Sequence, residues 1–315
     1  MNILVTGGNG QLGTALRLVS RNSRDRYIFS DIAGAEGRET LTLDITDREA
    51  VDRLVGEMDI DAIINCAAYT DVDRAEDNIE LARRLNAEAP AILAAAMARR
   101  NGFLVHISTD YVFGGADRRT PYREDAVGEP TGVYGLTKLE GEKAIEASGC
   151  RHIIIRTAWL YSEYGRNFCL TMLRLTATKA EVRVVDDQFG TPTYAGDLAA
   201  AIYRILENRL AGSTSAERAD GAIYHFSNEG SCNWFEFASR ICSRARELDP
   251  SRPECRVLPC SSEEFPSKVR RPAYSVLDKT LIKESFGLEI PKWEDSLDLC
   301  LENILLDNDT KILHL

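Results

Sequence analysis

Apolar residues in the first half of the chain fall into two alternating patterns. Short continuous apolar runs, without period-two alternation, occur at NILVTG (2–7), YIFSD (27–31), DAIINCAA (61–68) and FLVHIST (103–109). Between them lie segments whose apolar positions recur every three to four residues: QLGTALRLVSRN (11–22), DREAVDRLVGEM (47–58) and the alanine-rich stretch 79–101. Runs of the first kind suit strands buried on both faces, and segments of the second suit amphipathic helices. Their alternation predicts an α/β fold: a doubly wound parallel sheet with helices on both faces. A short strand closing at Leu43-Asp44 is expected before the second helix. A helix over 136–148 and a β-run over 152–162 follow.

Beyond about residue 160 the pattern loosens. Helices are expected over 167–179, leading to EVRVVDDQ (181–188), and over 195–208 and 233–248, with a strand over 222–228. The polar, small-residue segment 211–221 reads as an exposed loop, and the basic, proline-containing segment 266–280 as a loop near something anionic. No internal repeat and no Gly-, Ser- or Pro-rich linker marks a clean boundary.

The first strand–helix junction changes the picture. TGGNGQLG places Gly7, Gly10 and Gly13 there, with Gln11 and Leu12 between them. Glycine suits a tight turn, close approach of a diphosphate, and close packing of helix on strand. The helix N-terminus adds N–H donors and a positive dipole end. A Rossmann-type nucleotide-binding domain over 1–160 is therefore expected, with later segments returning to it. Residues 161–315 would mainly form a smaller, interleaved α/β substrate-binding domain. Asp31, ending the second strand, can accept hydrogen bonds from an adenosine ribose, which favours NADH over NADPH. Arg38 could instead accommodate a 2′-phosphate, and Asp31 could simply cap a helix. Asp44 and Ile45 are placed to flank the adenine. NCAAYT brings Ala67, Ala68 and Tyr69 to the end of the following strand, where a flat ring or ribose could lie close to the backbone.

Composition narrows the classes. In 315 residues, 44% hydrophobic and 28% charged, there is enough for a substantial core. A net charge of −11 argues against nucleic acid as a partner. The start of the chain runs directly into a strand, and no window reaches the roughly 18 apolar residues of a membrane span, so a cytoplasmic protein without a membrane partner is expected. The eight cysteines are scattered with no C-x-x-C pair, and there are only four histidines. Reduced thiols and no metal site are the reading.

Candidate chemistry lies at the carboxyl end of the fourth core run, where Ser108 and Thr109 stand, and in the stretch EPTGVYGLTKLE (129–140). Tyr134 and Lys138 are four residues apart, which on a helix puts both on one face. A tyrosine can protonate the alkoxide formed when hydride reaches a ketone, and a nearby ammonium lowers its pKa. Thr109 can hydrogen-bond the carbonyl oxygen. Spacing alone does not separate this pair from two ordinary helix-surface side chains. The glycine turn upstream makes Thr109, Tyr134 and Lys138 the catalytic candidates.

TGGNGQLG, NCAAYTDVDRAE, HISTDYVFGG, YGLTKLEGE, RTAWLYSEYGRNF and DDQFGTPTYAGDLA occur in that order. Together they resemble the extended short-chain dehydrogenase/reductase superfamily and, within it, the dTDP-4-dehydrorhamnose reductase family. The resemblance implies a Thr–Tyr–Lys set, here Thr109, Tyr134 and Lys138, and hydride transfer from NADH or NADPH to C4 of a dTDP-4-keto-6-deoxy-L-sugar. It implies substrate contacts at Thr70, Val72, Tyr111 and Trp159, with the thymidine end near Asn167 and Gln188 and the diphosphate near Arg270 or Arg271. Trp159 could instead be ordinary core packing at a strand end. Magnesium and a homodimer are implied by the resemblance only, and no carboxylate cluster in the sequence can be assigned to that metal. The partner implied is a small nucleotide-sugar.

Two other readings stand beside reduction. One is an NAD-dependent sugar-nucleotide epimerase or dehydratase. Dehydratases of the superfamily carry an Asp-Glu pair after the threonine, whereas this chain has Asp110-Tyr111 and lacks the second carboxylate. The other is a non-catalytic regulatory subunit on the same fold, which an intact Thr–Tyr–Lys set disfavours.

Overall fold

A computed structural model describes residues 1–114, 118–210, 220–265 and 267–306. The first half reads β1 (Asn2–Thr6), α1 (Gln11–Val19), β2 (Arg26–Asp31), β3 (Leu41–Thr42), α2 (Arg48–Glu57) and β4 (Ala62–Asn65). It continues with α3 (Val72–Ala75), α4 (Ile79–Arg83), α5 (Ala89–Arg99), β5 (Phe103–Thr109), α6 (Val133–Ala147) and β6 (Arg151–Thr157). The second half holds β7 (Leu160–Tyr161), α7 (Phe168–Thr178), β8 (Glu181–Val185), β9 (Phe189–Gly190), β10 (Thr193–Tyr194) and α8 (Ala195–Leu210). Then come β11 (Ala222–His225), β12 (Cys232–Asn233), α9 (Trp234–Leu248), β13 (Arg256–Cys260), α10 (Thr280–Phe286) and α11 (Trp293–Leu305). The loop expected over 211–221 falls for the most part on 211–219, outside the described residues.

Seven strands form one parallel sheet in the order β11-β6-β5-β4-β1-β2-β3. The chain runs outward from β1 to β3, then returns to β4 on the other side of β1. That reversal opens a crevice at the carboxyl ends of β1 and β4. The uninterrupted apolar runs have the burial this requires, since Ile3, Leu4, Val5, Ile63 and Ile64 are all fully buried. On one face Leu12 and Leu16 of α1 meet Leu198, Ile202 and Ile205 of α8. On the other Val51 of α2, Leu93 of α5 and Ile145 of α6 pack together. A separate core joins α7, α9 and α11 through Cys169, Leu173, Phe237, Ile241 and Leu297.

Three elements depart from the expected pattern. The third strand is Leu41–Thr42, so Leu43 and Asp44 lie just past its end. The β-run over 152–162 breaks after Thr157: Trp159 sits in the left-handed region at φ 48°, and β7 resumes beyond it. The long helical stretch contains a π turn, Arg84–Glu88, between α4 and α5. The turn's Asn86 is fully buried. Its Oδ1 accepts from Tyr69 N at 2.8 Å, and its Nδ2 donates to Tyr69 O at 3.1 Å and to Thr137 Oγ1 at 3.2 Å. Such single-turn π insertions concentrate near functional sites.

Candidate active site

A cleft of about 720 Å³ opens at the carboxyl ends of β1, β4 and β5. Gly7 turns the chain at its floor with φ 66°, and a Cβ there would lie 2.8 Å from Ala67 N. Any side chain would therefore fail twice, by backbone conformation and by collision. Gly10, Gln11, Leu12 and Gly13 line the same wall at the start of α1. Asp31, at the rim, is held from both sides: Oδ2 accepts from Asn9 N at 3.0 Å and Oδ1 from Ile32 N at 2.8 Å. Arg38 donates to Thr14 Oγ1 at 2.8 Å and lies 5.9 Å from the Tyr164 ring centre. Asp44, Ile45, Ala67 and Ala68 also line the cleft. Tyr69 does not line it, and Asn86 bonds both of its main-chain groups.

At the other end α6 presents Tyr134 and Lys138 on one face, both lining the cleft. The helix can sit there because residue 135 is glycine: a Cβ would be 2.1 Å from Tyr111 O. The rings of Tyr111 and Tyr134 meet edge-on at 5.5 Å. Thr109, from the end of β5, donates to Asp110 Oδ1 at 3.1 Å and accepts from Tyr111 N at 3.2 Å, and its hydroxyl is near enough to Tyr134 to act on that tyrosine's ionisation.

The electrostatics differ from the expected tuning. Burial pushes the Tyr134 hydroxyl up, the Thr109 hydroxyl opposes this, and Asp110 and Tyr111 add to the rise. Lys138 turns inward instead: its Nζ donates to Ile107 O at 2.7 Å and lies 3.2 Å from His106 Nε2. Burial brings Lys138 down to about 8, against the raising effect of Glu142. His106 is itself held well below its ordinary value by burial and by Lys138, so it is a neutral partner. Behind it, Asn65 Nδ2 lies 3.0 Å from His106 Nδ1, and Asn65 Oδ1 accepts from Thr6 Oγ1 at 2.6 Å. The result is a tyrosine that keeps its proton at neutral pH beside a lysine close to giving one up.

Thr70, Val72, Tyr111 and Trp159 form the remaining wall. The Trp159 ring stacks on Trp234 of α9 at 3.6 Å and 12°. Gln188 is on a small adjoining slot of about 10 Å³, shared with Asp110, Trp159, Trp234 and Arg271, and its Nε2 donates to Ser262 Oγ at 2.7 Å. Asn167 is not on the cleft wall. It caps α7, accepting from Leu170 N at 2.9 Å, and donates to Gln11 Oε1 and Ser162 O. The basic loop meets the protein's own carboxylates: Arg271 pairs with Asp73 at 3.1 Å and Lys268 with Asp77 at 2.5 Å. Arg270 is exposed. Among the described residues no group of three or more His, Cys, Asp or Glu is placed to hold a metal. Also among them, no helix is long and apolar enough to cross a membrane.

Trp234 and His106 were not among the sequence candidates, and Asp110 entered only as half of the Asp110-Tyr111 pair. Asp110 stood in plain view in HISTDYVFGG, and the aromatic face of the helix at 233–248 was the available signal for Trp234.

A family model described as "RmlD substrate binding domain" matches residues 1–306. The chain belongs to this family. A dTDP-4-dehydrorhamnose reductase from Burkholderia thailandensis is 37% identical, with 97% of this chain and 99% of that protein covered. A probable dTDP-4,6-dihydroxy-2-methyloxan-3-one 4-ketoreductase from Streptomyces antibioticus is 38% identical, with 97% and 96% covered. The crystal structure of dTDP-4-dehydrorhamnose reductase from Bacillus anthracis in complex with NADP has a TM-score of 0.83 at 37% identity, covering 95% and 98%.

Proposed function

We propose that the chain reduces the C4 ketone of dTDP-4-dehydro-L-rhamnose to the alcohol, giving dTDP-L-rhamnose, with NADH or NADPH. The observation that carries this is the presence of Thr109, Tyr134 and Lys138 on the wall of the cleft that the glycine turn and Asp31 also line, in a chain of this family. The glycine cradle, which has no room for a Cβ at Gly7, fits a dinucleotide diphosphate. Gly7, Gly10 and Gly13 would hold it, with N–H donors of α1, and Asp31 would accept from the adenosine ribose. When bound, the reduced coenzyme supplies the hydride.

This chain's side chains do the rest. Thr109 and Tyr134 orient the ketone oxygen, and Tyr134 delivers the proton as negative charge develops there. Because burial keeps Tyr134 protonated, the acid is loaded before substrate arrives. Lys138, which lines the same cleft, would supply positive charge towards the ribose of the bound coenzyme. Thr70, Val72, Tyr111 and Trp159 bound the sugar, with Trp159 against its apolar face. Residues 1–160, with β11, which joins the sheet, and α8, which packs on its face, form the coenzyme part in this reading, and the core built on α7, α9 and α11 the substrate part. Asp31 favours NADH over NADPH, and a homodimer and magnesium belong to the same reading through the family alone.

Against a dehydratase stands Tyr111, whose hydroxyl burial raises to about 12, in the place where elimination needs a carboxylate base. The test is the oxidation of NADH and NADPH, each followed by loss of nicotinamide absorbance. The keto-sugar is made in situ from dTDP-glucose by a dehydratase and an epimerase. Oxidation that depends on both auxiliary enzymes, faster with NADH, is expected. No oxidation of either coenzyme would defeat the reading, and better use of NADPH would remove the role given to Asp31.

A further inference from the structure

Asp110 follows Thr109, and the 3-10 turn Asp110–Val112 folds its carboxyl back on the Thr109 hydroxyl. It is 2% exposed, lines both the cleft and the slot behind Trp159, and has no part in the steps above. Its position matters through hydrogen-bond arithmetic. A threonine hydroxyl has one proton and two lone pairs. One lone pair of Thr109 takes the Tyr111 N–H, and Asp110 Oδ1 lies 3.1 Å from the same oxygen. The Tyr134 hydroxyl is the third neighbour of that oxygen on the cleft wall.

A carboxylate has no proton to offer. With Asp110 ionised, the Thr109 proton must therefore point at Asp110, and the remaining lone pair can only take the Tyr134 proton. Both hydroxyl protons then face away from a ketone oxygen, which is itself an acceptor. With Asp110 as the acid the polarity reverses. Its O–H fills the second lone pair of Thr109, so Thr109 can no longer take the Tyr134 proton, which is released towards the cleft, and the Thr109 proton is freed from Asp110.

We propose that Asp110 positions the two hydroxyl protons of the site: its acid form lets Thr109 and Tyr134 donate to the substrate ketone, and its ionisation turns them away. The inference deepens the reductase reading and rests on it. The surroundings put the switch within reach of neutral pH. Burial raises the Asp110 carboxyl to about 6, against the hydrogen bonds from Ser275, Thr109 and the main-chain N–H groups of 110 and 111. The titratable and charged groups facing it are Tyr111 on its own turn, Tyr134 on α6 and Arg271 across the slot. Both tyrosines are raised and stay neutral, and Arg271 is engaged by Asp73. Lys138, one turn further along α6, is bonded to Ile107 O.

The test is the pH dependence of kcat/KM for the keto-sugar between pH 5.5 and 7.5, in wild type, Asp110→Asn and Ser275→Ala, with coenzyme binding and thermal melting as checks on folding. Wild type is expected to fall about tenfold or more across this range, because the acid form is the working one. Asp110→Asn carries an amide N–H that donates to Thr109 at every pH, so its fall shrinks to less than about twofold. Ser275→Ala removes a bond that favours the carboxylate, and its midpoint moves up. An Asp110→Asn profile that falls as wild type does overturns the inference, as does an unmoved midpoint in Ser275→Ala. If Asp110→Asn does not fold, the Ser275→Ala midpoint decides. Wild type inactive at every pH would instead defeat the reductase reading, and the inference with it.

Discussion

Replacing Gly135 by alanine tests how the catalytic helix is seated. The added Cβ would stand 2.1 Å from Tyr111 O and 3.0 Å from Pro130 Cβ. Ordinary nonbonded contact is about 3.5 Å, so the start of α6 and the 110–112 turn must part by more than about 1 Å. Neither side can move freely without moving chemistry: Tyr134 is the neighbouring residue on one, and Thr109 and Asp110 precede Tyr111 on the other. A displacement of that size costs on the order of a hundredfold in turnover. Overpacking of this kind costs about 1–3 kcal/mol of stability, and each kcal/mol lowers Tm by about 2–4 °C in a large domain. Steady-state kinetics with the in situ keto-sugar and a thermal melt measure both. Gly56→Ala is the control, since Gly56 is exposed near the end of α2 with nothing within 4 Å of its Cβ position. It is expected to keep activity and gain up to ~1 kcal/mol. Wild-type kcat together with wild-type Tm in Gly135→Ala would refute the close-packing argument.

Two further outcomes follow from the same wall of the cleft. Tyr134→Phe is expected to lose about a hundredfold or more in kcat while coenzyme affinity, read by nicotinamide fluorescence, stays within about twofold; turnover near wild type would remove the proton-donor role. Lys138→Met tests the buried ammonium through stability. Lys138 has its folded value near 8 against an ordinary 10.5, so between those pH values the unfolded chain binds the proton and the folded one does not. Wild type therefore gains stability relative to Lys138→Met as pH rises from 8 to 10.5, by something on the order of 3 kcal/mol. A gap between the two denaturation curves that does not change with pH would contradict a desolvated lysine.

How much was legible in the sequence depended on the range of the interaction. The apolar runs that became β1, β4 and β5 were readable because burial on both faces removes alternation. The Tyr134–Lys138 pair was readable because helical spacing is local. The break at Trp159 was not: the left-handed turn inside a β-like run accompanies a ring stacked on Trp234, far away in the chain. Asn167 looked available for a ligand, yet its carboxamide caps α7 and ties down Gln11, which only the fold reveals. Lys138 was expected beside the tyrosine hydroxyl, but a main-chain carbonyl and a histidine from β5 draw it inward. Side-chain hydrogen bonds across elements leave no periodic trace.

The π turn at Arg84–Glu88 makes chain length here a constraint separate from composition. Removing one residue from the turn would restore a regular α-helix and take away the bulge that aims Asn86. Asn86 could no longer bond both main-chain groups of Tyr69 and the hydroxyl of Thr137. Conservative substitutions along 79–99 leave that geometry intact, whereas a one-residue deletion disconnects the strand end at Ala67 and Ala68 from the helix that bears Tyr134. Natural variants of this fold should therefore change letters in this stretch far more readily than they change its length.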